Sequence, residues 1–169
     1  MKGIYLDTWY YLFMQRKGLI ILFGIISVLS IVILYHVNKR ELTSDVTSPT
    51  VTIGSVTYSV EIADTDAARS QGLSDRENLA QNAGMLFHFP QKSQHGFWMN
   101  RMHFPIDIIW ISDNKIVDVS ENAPIPAETG GVPQTFSPKE PVNYVLEVNA
   151  GEFARNHFSI GQEVEINMY

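Results

Sequence analysis

Gly84-Met85-Leu86-Phe87-His88-Phe89 and, further on, Phe97-Trp98-Met99-Asn100 and Pro105-Ile106-Asp107-Ile108-Ile109-Trp110-Ile111 make up the stretch whose reading decides the fold. Nine aromatic residues and histidines fall between Phe87 and Trp110. One carboxylate, Asp107, sits inside the most hydrophobic run. Short apolar and β-branched runs of this kind read as strands. Met85 to Phe89, Phe97 to Met99, Ile106 to Ile111 and Lys115 to Val119 are four such runs, and Ser112-Asp113-Asn114 is a hairpin-like connection between the last two.

Upstream, Val56, Tyr58, Val60 and Ile62 alternate with Thr57, Ser59 and Glu61, the period of two expected of a strand with one wet face. Asp64 or Thr65 then caps a short helix carrying Asp66, Ala67 and Ala68, which Gly72 ends. Downstream, Pro124, Pro126, Gly130, Gly131, Pro133 and Pro138 predict an irregular surface excursion from Glu121 to Pro141. Val142 to Val148 resumes a strand, Gly151 to Phe158 supplies one or two helical turns, and Glu163 to Ile166 is a final strand. The fold class expected is α+β: a compact β-barrel-like or strongly bent sheet with one or two short helices.

A single transmembrane helix is expected ahead of this domain. Gly18 to Tyr35 holds eighteen residues without a charge, and Leu19 to Val37 spans roughly 28 Å as a helix, against a bilayer core about 30 Å thick. Ser27, Ser30 and Gly24 are tolerated there, because hydroxyls bond back to the helix. Lys2, Arg16 and Lys17 resemble the basic region of a cleavable signal peptide, but the apolar core runs into Tyr35-His36-Val37-Asn38-Lys39-Arg40 rather than small residues. The expectation is an uncleaved signal anchor of a single-pass cytoplasmic (inner) membrane protein. The more basic N-terminal flank places the domain on the extracytoplasmic side. Residues 1–18 are then a flank, 19–37 the anchor, 38–50 a polar tether and 51–169 the β-rich domain.

Charge divides along the same boundary. Residues 1–40 carry five Lys/Arg and one Asp, whereas residues 41–169 carry seven Lys/Arg and seventeen acids, a net −10. So acidic a domain is repelled by phosphate backbones, which argues against nucleic acid as a partner. The absence of cysteine removes disulfides, thiolate metal sites and thiol nucleophiles.

Gln71-Gly72-Leu73-Ser74-Asp75-Arg76, Gly84-Met85-Leu86-Phe87, Phe97-Trp98-Met99, Pro105-Ile106-Asp107-Ile108, Tyr144-Val145-Leu146-Glu147 and Ala150-Gly151, in this order, resemble the uncharacterised family known as domain of unknown function 192. The resemblance covers about residues 52 to 168. It implies a small β-rich domain, often exported or membrane-anchored, and no particular activity. Where the family pattern often has a basic residue after Phe-Trp-Met, this chain has Asn100, with Arg101 next.

The residues that suggest chemistry are few. Asp107 is either a ligand-binding or acid/base carboxylate, or half of a structural ion pair with Arg76 or Arg101. Glu147 shares a strand face with Val145, opposite to Leu146, and is open to the same two readings. Together they form a candidate carboxylate pair, provided that the fold brings them close. Arg76 offers a planar fork to a carboxylate or phosphate. His88, His95 and His103 are spaced too widely for a compact metal site, and His95 suits a loop-borne polar contact. Alternation turns one of Phe97 and Trp98 inward and leaves the other as an aromatic platform. No GxSxG elbow, phosphate loop, dinucleotide fingerprint or HExxH motif occurs, and neither cofactor nor metal is implied.

Three functions follow. The first is a tethered module that binds a small polar ligand, glycan or envelope partner through Arg76, His95, Phe97, Trp98, Asp107 and Glu147. The second is an envelope polysaccharide hydrolase or lyase using Asp107 and Glu147. The third is a structural or accessory subunit of a membrane complex.

Overall fold

The structure is a computed structural model that describes Ser27, Leu29, Ser30 and residues 48–168. Ser27, Leu29 and Ser30 are helical, and the Ser30 hydroxyl donates to the Ser27 carbonyl oxygen at 2.8 Å. The rest of the expected anchor, Leu19 to Val37, lies outside the described residues. Among the described residues no helix is long and apolar enough to cross a membrane.

Nine strands follow Ser48 in the order β1 (Thr50–Ile53), β2 (Val56–Ala63), β3 (Ala83–Ser93), β4 (Phe97–Trp98), β5 (Ile106–Ser112), β6 (Lys115–Ala123), β7 (Thr135–Phe136), β8 (Val142–Asn149) and β9 (Val164–Asn167). Helix α1 (Asp66–Gln71) crosses from β2 to β3, and α2 (Glu152–Arg155) follows β8. Seven strands form one sheet in the order β6-β5-β8-β3-β2-β1-β9, with β2 and β3 parallel and every other pair antiparallel. The sheet curls until its edges meet at one corner. There Lys115 bridges Glu163, and Val164 N–H donates to the Asn114 carbonyl at 2.8 Å. The result is a mostly β half-barrel with two short helices.

Local chemistry sets several of these elements. The Thr65 hydroxyl caps α1 by accepting from Ala68 N–H at 3.2 Å, satisfying one of the free donors of the first turn. Gly72, at φ 51°, ends the helix, and a Cβ there would stand 3.3 Å from the Phe87 ring. Asp113 and Asn114, both at positive φ, form the two-residue β5–β6 turn, a geometry that matches strand twist.

Two hydrophobic clusters lie on opposite faces of the sheet. Inside the curl are Val51, Ile53, Tyr58, Leu86, Ile109, Ile111, Leu146 and Val148, with Phe153 and Phe158. On the outer face Met85, Phe87, Ile108, Trp110 and Val145 are covered by Leu73, Phe97, Met99 and Met102 from the connecting loops. The central strands are therefore buried on both sides, and six consecutive β5 residues, Ile106 to Ile111, are buried.

Two elements depart from expectation. Thr50 to Ile53 is a strand paired with both β2 and β9, where the sequence predicts no strand before Val56 and places Thr50 in the tether. The stretch Glu121 to Pro141 is less irregular than its prolines and glycines suggest. It includes the end of β6, a 3-10 turn at Pro126–Thr129 and β7, which pairs Phe136 with Phe97 and Thr135 with Trp98.

Strands β3 and β8 leave no room for a side chain at Gly84, where a Cβ would stand 2.8 Å from the Glu147 carbonyl oxygen and 3.2 Å from Leu146 Cδ1. The first of these atoms is backbone and has little room to give way. Gly84→Ala is expected to lower stability by about 1–3 kcal/mol, as overpacking does. Urea unfolding checks this, and an unchanged midpoint contradicts the close approach.

Candidate functional site

The loops that cover the outer face do not close over it completely. Between them lies a cleft of about 400 Å³, within the range of small-molecule sites. Helix α1 and the loop after it form one wall, through Arg69, Gly72, Leu73 and Ser74. Gly96, Phe97, Trp98 and Met99 form the other, with Glu147 reaching in from β8.

Hydrogen bonds stitch the two walls together away from the opening. The Ser74 hydroxyl donates to the Asn100 carbonyl and Asp75 N–H to the Arg101 carbonyl, each at 2.9 Å. Arg101 Nε donates to both Asp75 carboxylate oxygens at 2.9 Å. The loop conformation at Asn100-Arg101, with Arg101 at φ 53°, thus aims the basic residue at the α1 side. Arg69 ties α1 to the sheet by donating to the Asp64 and His88 carbonyls at 2.6 and 2.9 Å and to the Asp66 carboxylate at 2.6 Å. Its guanidinium lies 5.3 Å from the centre of the Phe89 ring.

Aromatic packing fixes the Phe97 side. Phe97 meets the edges or faces of Phe87 and Trp110 in T-shaped contacts at 4.8 and 5.3 Å, an arrangement aromatic quadrupoles favour. Phe97 is buried, whereas Trp98 is 61% exposed at the rim of the cleft. His95 stacks on Phe89 with ring centres 3.6 Å apart. Its Nε2 is buried without a hydrogen-bond partner among the described residues, and burial pushes the imidazole below the ordinary histidine range despite a bond to the Gln91 backbone.

Glu147 is the unusual residue. Its register with Met85 on β3 and Ile108 on β5 turns it to the outer face, and it is only 7% exposed. Among the described residues no hydrogen bond or ion pair reaches its carboxyl group. Burial pushes that group up to about 8, and the charge of Arg76 pulls it back only in part. Arg76 itself grips the Glu61 carboxylate at 2.5 and 2.8 Å. That pair holds Glu61 below the ordinary range and Arg76 above its own.

Asp107 belongs elsewhere. It pairs with Val148 and so faces the inside of the curl, where it accepts from the backbone N–H groups of Asn122, Gly151 and Phe153 at 2.8, 3.1 and 2.8 Å. Neither Arg76 nor Arg101 pairs with it. The ion pair, one of the two readings of Asp107, is replaced by main-chain donors on β6 and at the start of α2, and the candidate carboxylate pair is not assembled, because Asp107 and Glu147 point to opposite faces of the sheet. Of the six anticipated binding residues, His95, Phe97, Trp98 and Glu147 line the cleft together. Arg76 stands behind it and Asp107 lies beneath the sheet.

The three histidines scatter. His88 stacks on Tyr144 and His103 lies 3.4 Å from Glu77 at the surface. Among the described residues no group of three His, Asp or Glu side chains could hold a metal ion. Sequence reading missed Arg69, Leu73, Met99 and Met102 as cleft residues, and it missed Glu152, a buried acid that accepts from the Tyr58 hydroxyl at 2.9 Å. The Phe-Trp-Met block was a signal for Met99 and the Gln71 to Arg76 block for Leu73, but nothing local marked the others.

The chain belongs to the domain of unknown function 192 family, described as an uncharacterized ACR, which it matches over residues 49–166. Two crystal structures are similar to it. One is of a protein from Sinorhizobium meliloti 1021 provisionally described as a transcription regulator, 32% identical, covering 70% of this chain and 91% of that one with a TM-score of 0.62. The other is of a protein of unknown function from Novosphingobium aromaticivorans DSM 12444, 28% identical, covering 72% and 89% with a TM-score of 0.62. No curated protein matches the sequence.

The raised Glu147 carboxyl makes stability depend on pH. Below about 4.5, the ordinary glutamate value, folded and unfolded chains both hold the proton; from there to about 8 only the folded chain does, so this group's contribution is lost as pH rises. Carboxylates held low by cations, such as Glu61 and Asp118, act in the opposite sense and at lower pH. Glu147→Gln is therefore expected to gain on the parent across this window, by on the order of a few kcal/mol at its upper end. Urea unfolding at several pH values checks it, and parallel profiles for the two proteins contradict the buried acid. Asp107→Asn, in contrast, is expected to lose about 1–3 kcal/mol at neutral pH, because its amide turns a donor toward backbone donors.

Proposed function

We propose that this family member is a binding module whose cleft between α1 and the β4–β7 flap takes a small ligand. The observation that carries the reading is Glu147, a carboxyl only 7% exposed and without a hydrogen bond among the described residues, in a cleft whose lining mixes Arg69, Gln71, Ser74 and His95 with Phe97 and Trp98. Buried polar groups are nearly always partnered, and at this cleft the exception is His95 Nε2, buried without a partner among the described residues, while burial raises the Glu147 carboxyl; both are reasons to look for a ligand. Trp98, 61% exposed, provides apolar surface for the body of such a ligand with Phe97 behind it, while Glu147 and His95 Nε2 supply polar contacts that orient it.

The proposed location is the extracytoplasmic face of a membrane, with Leu19 to Val37 as the anchor. The hydropathy of that segment supports this, as does the basic flank ahead of it. The relative's regulator description is not carried over, because the net −10 of residues 41–169 opposes binding to nucleic acid. The separation of Asp107 from Glu147 speaks against the two-carboxylate hydrolase.

A thermal-shift screen of the full chain against sugars, envelope fragments, amines and small acids tests the reading. A hit is expected to raise the melting temperature and to change Trp98 fluorescence, and Trp98→Ala is expected to weaken it several-fold. Hits that raise the melting temperature equally in Trp98→Ala and Glu147→Gln would place binding outside this cleft.

A further inference from the structure

We infer that the ligand of the cleft carries an alkylated ammonium group, seated against the Glu147 carboxylate with its substituents against Trp98 and the edge of Phe97. This rests on the binding reading above and adds the chemical class. Charge around the cleft is the first ground. Arg69 is offset by Asp66 and Arg76 by Glu61, each at hydrogen-bonding distance. His95 has its imidazole pushed toward the neutral form by burial. Once Glu147 ionises, these groups leave one negative charge in surplus. A cationic ligand cancels that charge, whereas a neutral sugar leaves it buried and an anion doubles it.

The lining is the second ground. Phe87, Phe97 and Trp98 contribute to it, together with Met99 and Met102, whereas the faces of Phe89 are taken by His95 and the Arg69 guanidinium. Aromatic faces attract cations through their quadrupole, most strongly when water is excluded, and boxes of such rings suit alkylated ammonium groups. Methionine adds a polarisable surface that adapts to irregular alkyl shapes. The acidic domain is the third ground, since its field draws small cations toward the surface.

A proton transfer accompanies binding. In the empty cleft the burial of Glu147 favours its neutral form at pH 7. When a fixed positive charge arrives, the carboxyl group releases its proton to solvent and the carboxylate pairs with the cation. Up to one proton leaves per ligand bound. Affinity for the cation therefore rises with pH and levels off above the titration of Glu147.

The test uses benzyltrimethylammonium, whose charge does not titrate, and neopentylbenzene, its neutral isostere. The full chain is held in phosphatidylglycerol nanodiscs, which bring no quaternary ammonium group of their own. Binding is read by calorimetry and by Trp98 fluorescence, and proton release with a pH-sensitive dye in weakly buffered solution. The cation is expected to bind at least tenfold more tightly than the isostere and to release close to one proton at pH 7. Glu147→Gln is expected to remove that preference and the proton release. Trp98→Ala, at an exposed position, is expected to weaken the cation without abolishing proton release.

Equal affinity for the two probes overturns the inference, as does a preference that survives in Glu147→Gln. If sugars or other neutral compounds bind in the cleft and the cation does not, the ammonium class is wrong and the binding module stands. If no compound of any charge perturbs Trp98 or the melting temperature, both fall.

Discussion

Burial of the central sheet on both faces is the constraint on which the rest of the structure depends. Strands β3, β5 and β8 have the interior of the curl on one side and the covering loops on the other. Any polar side chain they carry must find its partners within the protein or from something that enters it. Two carboxylates on adjacent strands show the two outcomes. Asp107 faces inward and is met by three backbone N–H groups gathered at the start of α2 and on β6. Glu147 faces outward and meets an opening.

The comparison of these two acids shows how much a local pattern can say. Alternation correctly sent Glu147 to the face of Val145 and separated buried Phe97 from exposed Trp98. Capping and turn residues gave the short helix after Asp64 or Thr65 and the tight β5–β6 turn, because each is decided by residues adjacent in the chain. Alternation did not say which acid was satisfied. The donors to Asp107 come from positions 15 to 46 residues away, and the partner of Arg76 is Glu61 rather than either candidate carboxylate. These pairings depend on strand order, which hydrophobic periodicity does not encode.

The cleft was legible only in fragments for the same reason. Its walls come from the loop around Gly72, the segment around Phe97 and the excursion that returns as β7, and their association rests on backbone bonds such as Met99 N–H to the Gln134 carbonyl at 2.9 Å. Proline and glycine between Glu121 and Pro141 correctly marked a surface excursion but hid its two paired residues. The family blocks are clearer in retrospect. Ser74 and Asp75 join the first wall to the second, Gly84 permits the close approach of β3 and β8, and Glu147 sits beside it. The motif residues therefore build the cleft as well as the core.

Such an arrangement carries a cost in stability that a hydrophobic residue at position 147 would avoid, and a ligand that pairs with the carboxylate offsets it. The most direct test of this account is the pH titration of the Glu147 side-chain carboxyl carbon by NMR, with the signal assigned by its loss in Glu147→Gln. The account predicts a midpoint at about 8 in the empty cleft. A midpoint near 4.5, the ordinary glutamate value, would show a solvated or already paired carboxylate and contradict it.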